Sequence, residues 1–339
     1  MHWDVGIDLG TEYVRVCTRK QGTLLETASC LAFREGRDTP VCGGDMAREL
    51  EGRLCEGMRL EAPLRDGVLE NNRMAERLFH WLFHFTGLAG QRRLNVLLTC
   101  APFARPVQQE ALLLALQSAG AASARLVRSD YAHALGAGLK PKEPEAGLVV
   151  DVGAGKCTAT LFTLSRVAAF ASMPYGLNRV DARIQHAVRA HSGYRIGRPG
   201  AEEIKRTLGS ALPASAPRDV IMHMTGFSIA DRLPGSFDVE TEPVLQACED
   251  VVRELTGCIA LAVDDCPEEL AADLNDTGVT LCGGGAELSG LDKRVGDALG
   301  IPCRVADVPG QCALRGLSVL LEEADGHPGA FLNMQGAVL

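Results

Sequence analysis

The sequence predicts an α/β fold built as two lobes, and two observations lead to that prediction. Segments with strand and helix patterns alternate along the 339 residues, which is typical of α/β architecture. The pattern of residues 5–18, VGIDLGTEYVRVCT, also returns at 147–164 as GLVVDVGAGKCTATLFTL. Both stretches give apolar residues, an Asp, a glycine turn and a second strand. We therefore expect two similarly built halves, with the cleft between them as the natural place for a ligand.

The elements of the first half are assigned from hydrophobic periodicity, and the linker composition of residues 138–147, GLKPKEPEAG, marks its end. One helix begins at Pro106 and stops at Gly120, which are typical residues for those positions. The predicted strands are 3–8, 13–18, 23–33, 95–102 and 124–129, and the predicted helices are 72–86 and 106–119.

The second half continues the alternation after its opening pair of strands. Residues 276–300 predict a strand, three glycines and a helix, and residues 301–306 predict a further strand. The other predicted helices are 177–192, 199–210, 241–264 and 311–323.

Composition restricts the function classes that fit. A hydrophobic content of 46% is ample for large cores, while a net charge of −9 and 5% aromatic residues argue against a nucleic-acid partner. The twelve cysteines are scattered, and Cys100, Cys258 and Cys282 lie in apolar runs. Buried reduced thiols in a cytoplasmic protein are therefore expected, because neither disulfide nor zinc spacing is present.

Targeting signals are not expected either. The N-terminal MHWDVGIDLG has neither a basic start nor a long apolar core, which argues against a signal peptide. Apolar runs such as residues 111–116, ALLLAL, are too short to span a bilayer, so we expect a soluble protein.

Two glycine turns carry the first functional hypothesis. In Asp8-Leu9-Gly10-Thr11, the carboxylate at a strand end can hold a metal-bound water, and the glycine lets backbone N–H groups approach a phosphate. Alone, this is also an ordinary hairpin turn. The second copy, residues 151–155, DVGAG, strengthens the functional interpretation because two hairpins can clamp phosphates from opposite sides.

Two further motifs suit the other end of a nucleotide. Gly283-Gly284-Gly285-Ala286 follows a strand and opens a helix, where glycines permit close packing of a flat group and leave helix N–H donors free. Glu202 and Lys205 lie three residues apart on one helix face. They form either a surface ion pair or a pair that hydrogen-bonds a ribose and flanks an adenine.

The order of these four motifs resembles the actin/Hsp70/sugar-kinase superfamily and, within it, the MreB family of bacterial actin-like proteins. The resemblance runs nearly end to end, through residues 62–71 (APLRDGVLEN), 201–211 (AEEIKRTLGSA), 266–292 and 300–316 (GIPCRVADVPGQCALRG). It implies an actin-like (ribonuclease H-like) two-lobed ATPase fold of the α/β class, with a nucleotide cleft between the lobes. The chain is identified as a diverged member of that family.

The resemblance also implies the domain boundaries. The first lobe is expected at 1–146, with a small subdomain at about 34–70, and is completed by a C-terminal helix at 310–339. The second lobe is expected at 147–309, with a small subdomain at about 182–240.

By the same resemblance, the expected cofactors are ATP and Mg²⁺, with Asp8 and Asp151 holding the metal through water. The implied phosphate-binding residues are Asp8, Gly10, Thr11, Asp151, Gly153, Gly155 and Lys156. The implied nucleoside-binding residues are Glu202, Lys205, Gly283, Gly284, Gly285 and Ala286.

Departures from the family pattern concentrate in these loops. Residues 12–14 read Glu-Tyr-Val where the family continues Ala-Asn-Thr, and a carboxylate beside triphosphate oxygens is unfavourable unless Glu12 points away. Residues 153–157 read GAGKC where the family has Gly-Gly-Gly-Thr-Thr, so the Lys156 cation either contacts a phosphate or points to solvent. Ala154 is tolerable where its backbone does not need a positive φ.

The position that orients the attacking water departs as well. Family members place a Glu early in the helix that here begins at Arg105-Pro106, and Gln108 is its best match across a one-residue gap. A glutamine can orient water by hydrogen bonding but cannot act as a base. Both slow hydrolysis and no hydrolysis fit this residue.

The implied function is an ATP-binding cytoskeletal filament, assembled head to tail, that organises cell shape and cell-wall synthesis. Its expected partners are further copies of itself and cell-shape or cell-wall-synthesis membrane proteins. Any membrane contact is peripheral: Phe83, Phe85 and Leu88 are candidates, although a core-facing helix explains them as well. One alternative is a diverged paralogue that regulates such filaments and binds nucleotide weakly, not at all, or without hydrolysing it. A small-molecule kinase is the other, for which no substrate-facing acid stands outside the phosphate loops.

Overall fold

The computed structural model describes residues 2–91, 93–217 and 220–332. Its strands are β1 (Val5–Leu9), β2 (Tyr13–Thr18), β3 (Gly22–Ala28), β4 (Leu31–Arg34), β5 (Cys42–Gly43), β6 (Met58–Glu61), β7 (Leu64–Arg65), β8 (Val68–Leu69), β9 (Asn95–Cys100), β10 (Ser123–Arg128), β11 (Gly147–Val152), β12 (Cys157–Thr163), β13 (Arg166–Met173), β14 (Tyr194–Arg195), β15 (Met222–Ser228), β16 (Pro234–Val239), β17 (Val279–Cys282) and β18 (Cys303–Val305). Its helices are α1 (Asp45–Arg48), α2 (Asn72–Phe85), α3 (Pro106–Ser118), α4 (Ser129–Gly136), α5 (Asn178–Ser192), α6 (Arg198–Leu208), α7 (Thr241–Asp264), α8 (Ala271–Thr277), α9 (Leu291–Leu299) and α10 (Cys312–Glu323).

Two five-stranded sheets with the same strand plan form the two lobes. The first has the order β10-β9-β1-β2-β3, and the second has the order β18-β17-β11-β12-β13. In each sheet a hairpin pairs antiparallel, β1 with β2 and β11 with β12, while β9 or β17 lies parallel to the first strand of that hairpin. The internal echo in the sequence therefore corresponds to a repeated sheet, and its two Asp residues lie near the ends of equivalent strands.

Each lobe has its own core, and a third cluster lies between the sheets. The first core includes Ile7, Phe79 and Leu98, and the second includes Val150 and Ile259, all of them fully buried. The third cluster is built largely from α4 and α10.

Helices α4 and α10 cross with their backbones in contact. A Cβ added to Gly136 would lie 1.8 Å from the carbonyl oxygen of Cys312, and one added to Gly316 would lie 1.9 Å from that of Ala132. Glycine is required at both positions because any side chain would push the helices apart.

Each lobe also carries a small sheet, β5-β4-β6 in the first and β14-β15-β16 in the second. The short hairpin β7–β8 follows the first of these and places Gly67 at its turn. All twelve cysteines are free, and Cys100, Cys258 and Cys282 are buried as predicted.

The structure corrects several sequence assignments. The strand predicted at 23–33 is two strands, β3 and β4, which pair with different sheets. The three glycines open a 3₁₀ turn, Gly284–Glu287, rather than the following α-helix. Of the C-terminal segment 310–339, only Cys312–Glu323 is α-helical among the described residues, and residues 333–339 lie outside them.

The candidate membrane contact is only partly exposed. Phe83 and Leu88 are buried in the first core, whereas Phe85 is 61% exposed. In the described part of the chain, every helix is too short or too polar to cross a membrane.

Candidate functional site

A cleft with a volume of about 690 Å³ lies between the two sheets and is lined from both lobes. Most of the predicted site residues line it: Asp8, Gly10, Thr11, Asp151, Gly153, Gly155, Lys156, Glu202, Lys205, Gly283, Gly284 and Gly285. Ala286 is buried just behind that lining, and Gln108 lies outside it.

The first hairpin holds Asp8 in a ready-made polar setting. Its Oδ1 accepts a hydrogen bond of 2.9 Å from the Thr99 hydroxyl, and its Oδ2 lies 3.4 Å from the Arg15 guanidinium. Arg15 is also paired with Glu26 at 3.1 Å. The carboxylate at this edge of the cleft is therefore already partnered by a cation of the protein.

The second hairpin has a stronger internal ion pair. Lys156 Nζ lies 2.5 Å from Asp151 Oδ2 and donates to the Ser129 hydroxyl at 3.2 Å, while His133 Nε2 lies 3.5 Å from Asp151 Oδ1. Burial alone would raise the pKa of Asp151, but its neighbours His133 and Lys156 outweigh burial and hold that pKa below its ordinary value. Lys156 thus points to Asp151 rather than to solvent.

The two hairpins touch at the end of the cleft that is predicted to bind phosphates. A Cβ added to Gly155 would lie 2.3 Å from the Thr11 hydroxyl and 2.9 Å from the Gly67 nitrogen. That Thr11 hydroxyl accepts a hydrogen bond from Gly67 N at 3.1 Å. Ala154 has no positive φ, so its replacement of a family glycine brings no backbone strain.

The glycine triplet shapes the end of the cleft that is predicted to bind the nucleoside. Gly283 has a φ of +80°, and a Cβ there would lie 2.5 Å from the carbonyl oxygen of Val152. Lys205 forms an ion pair of 2.7 Å with the buried Asp181. Burial raises the pKa of Asp181 even though Lys205 opposes that rise.

Glu12 does not face the cleft as an unpaired carboxylate. It lies 3.0 Å from Arg48 and 2.8 Å from Arg198, and it accepts a hydrogen bond of 2.7 Å from the Asn178 amide. Arg48 ends α1 in the first lobe, whereas Arg198 and Asn178 begin α6 and α5 in the second. The residue that departs from the family pattern therefore joins the two lobes.

Both arginines extend these contacts across the cleft. Arg48 lies 2.5 Å from Glu202 in the second lobe, and Arg198 lies 2.7 Å from Glu51 in the first. We call Glu12, Arg48, Glu51, Arg198 and Glu202 the interlobe network. It joins the two lobes across the cleft through partly buried ion pairs.

The Glu202 contacts predict an acid-sensitive contribution to stability. Burial raises the pKa of Glu202, but Arg48 and Arg206 outweigh it and lower that pKa below 4.5. The stabilisation is therefore fully present above the ordinary value and is lost as the pH falls through the lowered pKa. We expect Glu202→Gln to cost about 1–2 kcal/mol of unfolding free energy near neutral pH, and that cost to shrink below pH ~4.5.

Urea unfolding of native protein and variant at several pH values measures this difference. Glu203→Gln is the matched control because Glu203 is exposed on the same helix. A Glu202→Gln cost that stays constant from neutral to acid pH contradicts the prediction.

Gln108 is engaged within the first lobe. Its Oε1 accepts a hydrogen bond of 3.0 Å from Arg105 N, which caps α3, and its Nε2 donates to the Leu69 carbonyl at 2.9 Å. The neighbouring Gln109 donates to the Ala104 carbonyl at 2.8 Å. Orientation of water by Gln108 stays a prediction.

Sequence reasoning missed several residues of the site. Ser129 and His133 on α4, Gly67 in the β7–β8 turn and Arg48 in the interlobe network each contact a predicted site residue. Arg198 joins the same network through Glu12. Only Gly67 stood within a quoted family segment, residues 62–71.

Comparisons with known proteins give the family and the fold. The family model described as MreB/Mbl protein matches residues 2–328. The cell shape-determining protein MreB of Escherichia coli (strain K12) is 31% identical over 96% of this chain and 95% of its own length, and Mbl of Bacillus subtilis (strain 168) is 27% identical over 96% and 97%.

Solved structures agree with the predicted actin-like fold. Crystal structures of Spiroplasma citri MreB5 bound to ADP and to AMPPNP each superpose with a TM-score of 0.88 at 24% identity, covering 95% of this chain and 96% of theirs. The MamK double helical filament gives a TM-score of 0.77 at 22% identity, over 94% and 98%. The predicted α/β, two-lobed actin-like fold is confirmed.

Proposed function

Since the chain belongs to the MreB/Mbl family, we propose that it is a cytoskeletal protein that binds ATP in the interlobe cleft and assembles into filaments that organise cell shape. The observation that carries this proposal is the cleft itself, where two Asp-Gly hairpins from equivalent sheets meet a glycine triplet. Such an arrangement presents backbone donors to phosphates from both lobes.

The proposal assigns roles along the cleft. Gly10 and Thr11 with Gly153 and Gly155 receive the phosphates, and Lys156 contributes a positive charge beside them. The nucleoside lies between α6, at Glu202 and Lys205, and the triplet Gly283–Gly285, with Ala286 supporting that loop. The lobes are proposed as 1–146 and 147–309, and the C-terminal segment from 310 completes the first.

Magnesium is the part of the expected ligand that fits poorly. Asp8 and Asp151 both line the cleft, as water-mediated ligands of Mg²⁺ should. Both oxygens of Asp151, however, already face protein nitrogens, and Asp8 has Arg15 at 3.4 Å. The carboxylates therefore do not fit a divalent ion while Lys156 keeps its position.

Assembly is proposed to be head to tail, because a heterologous contact that does not close produces an open polymer. MamK, which shares the fold, forms a double helical filament. We further propose a cytoplasmic location with peripheral membrane contact, for which Phe85 is the exposed candidate, and membrane proteins of cell shape or cell-wall synthesis as partners.

Gly284→Val tests nucleotide binding with little disturbance of the fold. Gly284 lines the cleft, has no positive φ, and a Cβ there meets no protein atom within 4 Å. We expect the variant to keep its melting temperature but to bind ADP and ATP about tenfold more weakly or not at all, because the side chain fills the nucleoside space. Thermal shift with each nucleotide measures this, and sedimentation of the same samples measures polymer.

Gly326→Val is the control, since a Cβ at Gly326 also meets no protein atom within 4 Å and Gly326 lies outside the cleft lining. Native protein that shows neither a nucleotide-dependent shift nor a pellet contradicts the proposal. Equal nucleotide binding by native and Gly284→Val protein places the ligand elsewhere.

A non-hydrolysing paralogue that regulates such filaments is the second candidate. It is favoured by Gln108, which lies outside the cleft lining and whose amide oxygen and nitrogen each bind a backbone group. Nucleotide binding without phosphate release, together with an altered polymer yield of a second MreB, supports this candidate.

A further inference from the structure

The cation beside Asp151 is held on several sides. The Lys156 side chain is 13% exposed, its ammonium contacts Asp151 and Ser129, and its stem packs on the β7–β8 turn. A Cβ added to Gly67 would lie 2.5 Å from Lys156 Cδ. Glycine at this turn therefore leaves room for the lysine stem, which links the second hairpin to the first lobe.

A divalent ion at Asp151 competes directly with this ammonium. Mg²⁺ binds through carboxylates and retained waters in near-octahedral geometry. The ammonium lies 2.5 Å from one oxygen of that carboxylate, and His133 lies 3.5 Å from the other. A metal bound there requires displacement of Lys156 or close approach of two cations, which repel each other in a buried site.

Asp8, the other carboxylate that is expected to hold the metal, also has a cationic side chain beside it. Arg15 lies 3.4 Å from Asp8 Oδ2, and the Thr99 hydroxyl occupies Oδ1. Both acids that would hold the metal are thus neutralised by residues of the chain, one from each hairpin.

Lys156 also retains capacity to bind an anion. An ammonium has three N–H donors, and the described contacts use two, to Asp151 and Ser129. Lys156 lines the cleft at the hairpins, so its third donor is available to a phosphate oxygen.

We infer that Lys156 takes the place of the divalent cation, so that the cleft binds an adenine nucleotide without metal; this rests on the function proposed above. The charge that Mg²⁺ would supply to the phosphates is supplied by the protein. Restoring the family residue, Lys156→Thr, should free Asp151 for a metal and make binding depend on it.

Isothermal titration of ADP and of AMPPNP into the purified chain, with excess Mg²⁺ or with EDTA, tests this. We expect the native dissociation constants in the two buffers to agree within about threefold. Lys156→Thr should bind about tenfold more weakly in EDTA than with Mg²⁺. Lys20→Thr, at an exposed lysine in the turn between β2 and β3, should behave like native protein.

Native protein whose affinity falls about tenfold or more in EDTA overturns the inference. If Lys156→Thr does not fold, Lys156→Met keeps the stem on Gly67, and the native comparison remains decisive without any variant. Absence of nucleotide binding in both buffers contradicts the proposed function and this inference with it. Metal-dependent native binding leaves the proposed function intact.

Discussion

Gly316→Ala is expected to lower the free energy of unfolding by about 4 kcal/mol, a large effect for a single added methyl group. The added Cβ would lie 1.9 Å from the Ala132 carbonyl oxygen, which belongs to the backbone of α4 and cannot rotate away. The helices must separate, and the cluster between the two sheets loses packing around them. Urea unfolding followed by circular dichroism measures the change.

Gly257→Ala is the matched control because Gly257 lies inside α7 and a Cβ there meets nothing within 4 Å. Alanine has the better helix propensity, so we expect a gain of about 0.5–1 kcal/mol. Similar stabilities for the two variants contradict the close backbone crossing of α4 and α10.

Glu12→Lys is the second large change that we predict, with a loss of about 4 kcal/mol and an opened cleft. The substitution places a third positive charge between Arg48 and Arg198, whose side chains are only 17% and 29% exposed. It also removes the acceptor of the Asn178 amide. Urea unfolding measures the loss, and small-angle scattering should show a larger radius of gyration as the lobes separate.

High salt gives an independent check, because screening at ~1 M reduces repulsion among partly exposed charges. The difference in unfolding free energy between Glu12→Lys and native protein should therefore become smaller. Glu322→Lys is the control: its side chain is 49% exposed and, among the described residues, its one ion pair is with Arg19, so the expected cost is below about 1 kcal/mol. Equal losses for the two substitutions mean that Glu12 does not join the lobes.

The sequence predicted the features that depend on short-range pattern. Asp8 and Asp151 each stand in an apolar strand next to a glycine turn, and the structure places both strands at equivalent positions of the two sheets. Local alternation is enough to find such strands because side chains point to opposite faces in turn.

Helix α4 was missed for a physical reason. Six of its eight residues are buried, including Tyr131 and His133, so its sequence shows no polar face. A helix surrounded by other elements lacks the periodicity from which helices are assigned. Ser129 and His133 consequently went unnoticed as neighbours of Lys156 and Asp151.

The interlobe network could not be predicted because its partners meet only after folding. Glu12 contacts Arg48 in its own lobe and Arg198 in the second lobe, and both are distant from it in the sequence. Contacts between residues so far apart produce no recognisable spacing in the sequence. The break between β3 and β4 was equally hidden, since Ala28, Leu31 and Phe33 are all buried and the apolar character continues across it.

The interlobe network joins the lobes without any ligand, and this limits how far a bound nucleotide can change the conformation of the subunit. A ligand shifts a conformational equilibrium only by the difference in its affinity for the two states. The more strongly the interlobe network favours the closed form without a ligand, the less nucleotide binding and loss change the population of that form. Such a subunit keeps nearly the same conformation with and without nucleotide. A filament regulated by hydrolysis instead needs subunits whose cleft opens when the ligand leaves.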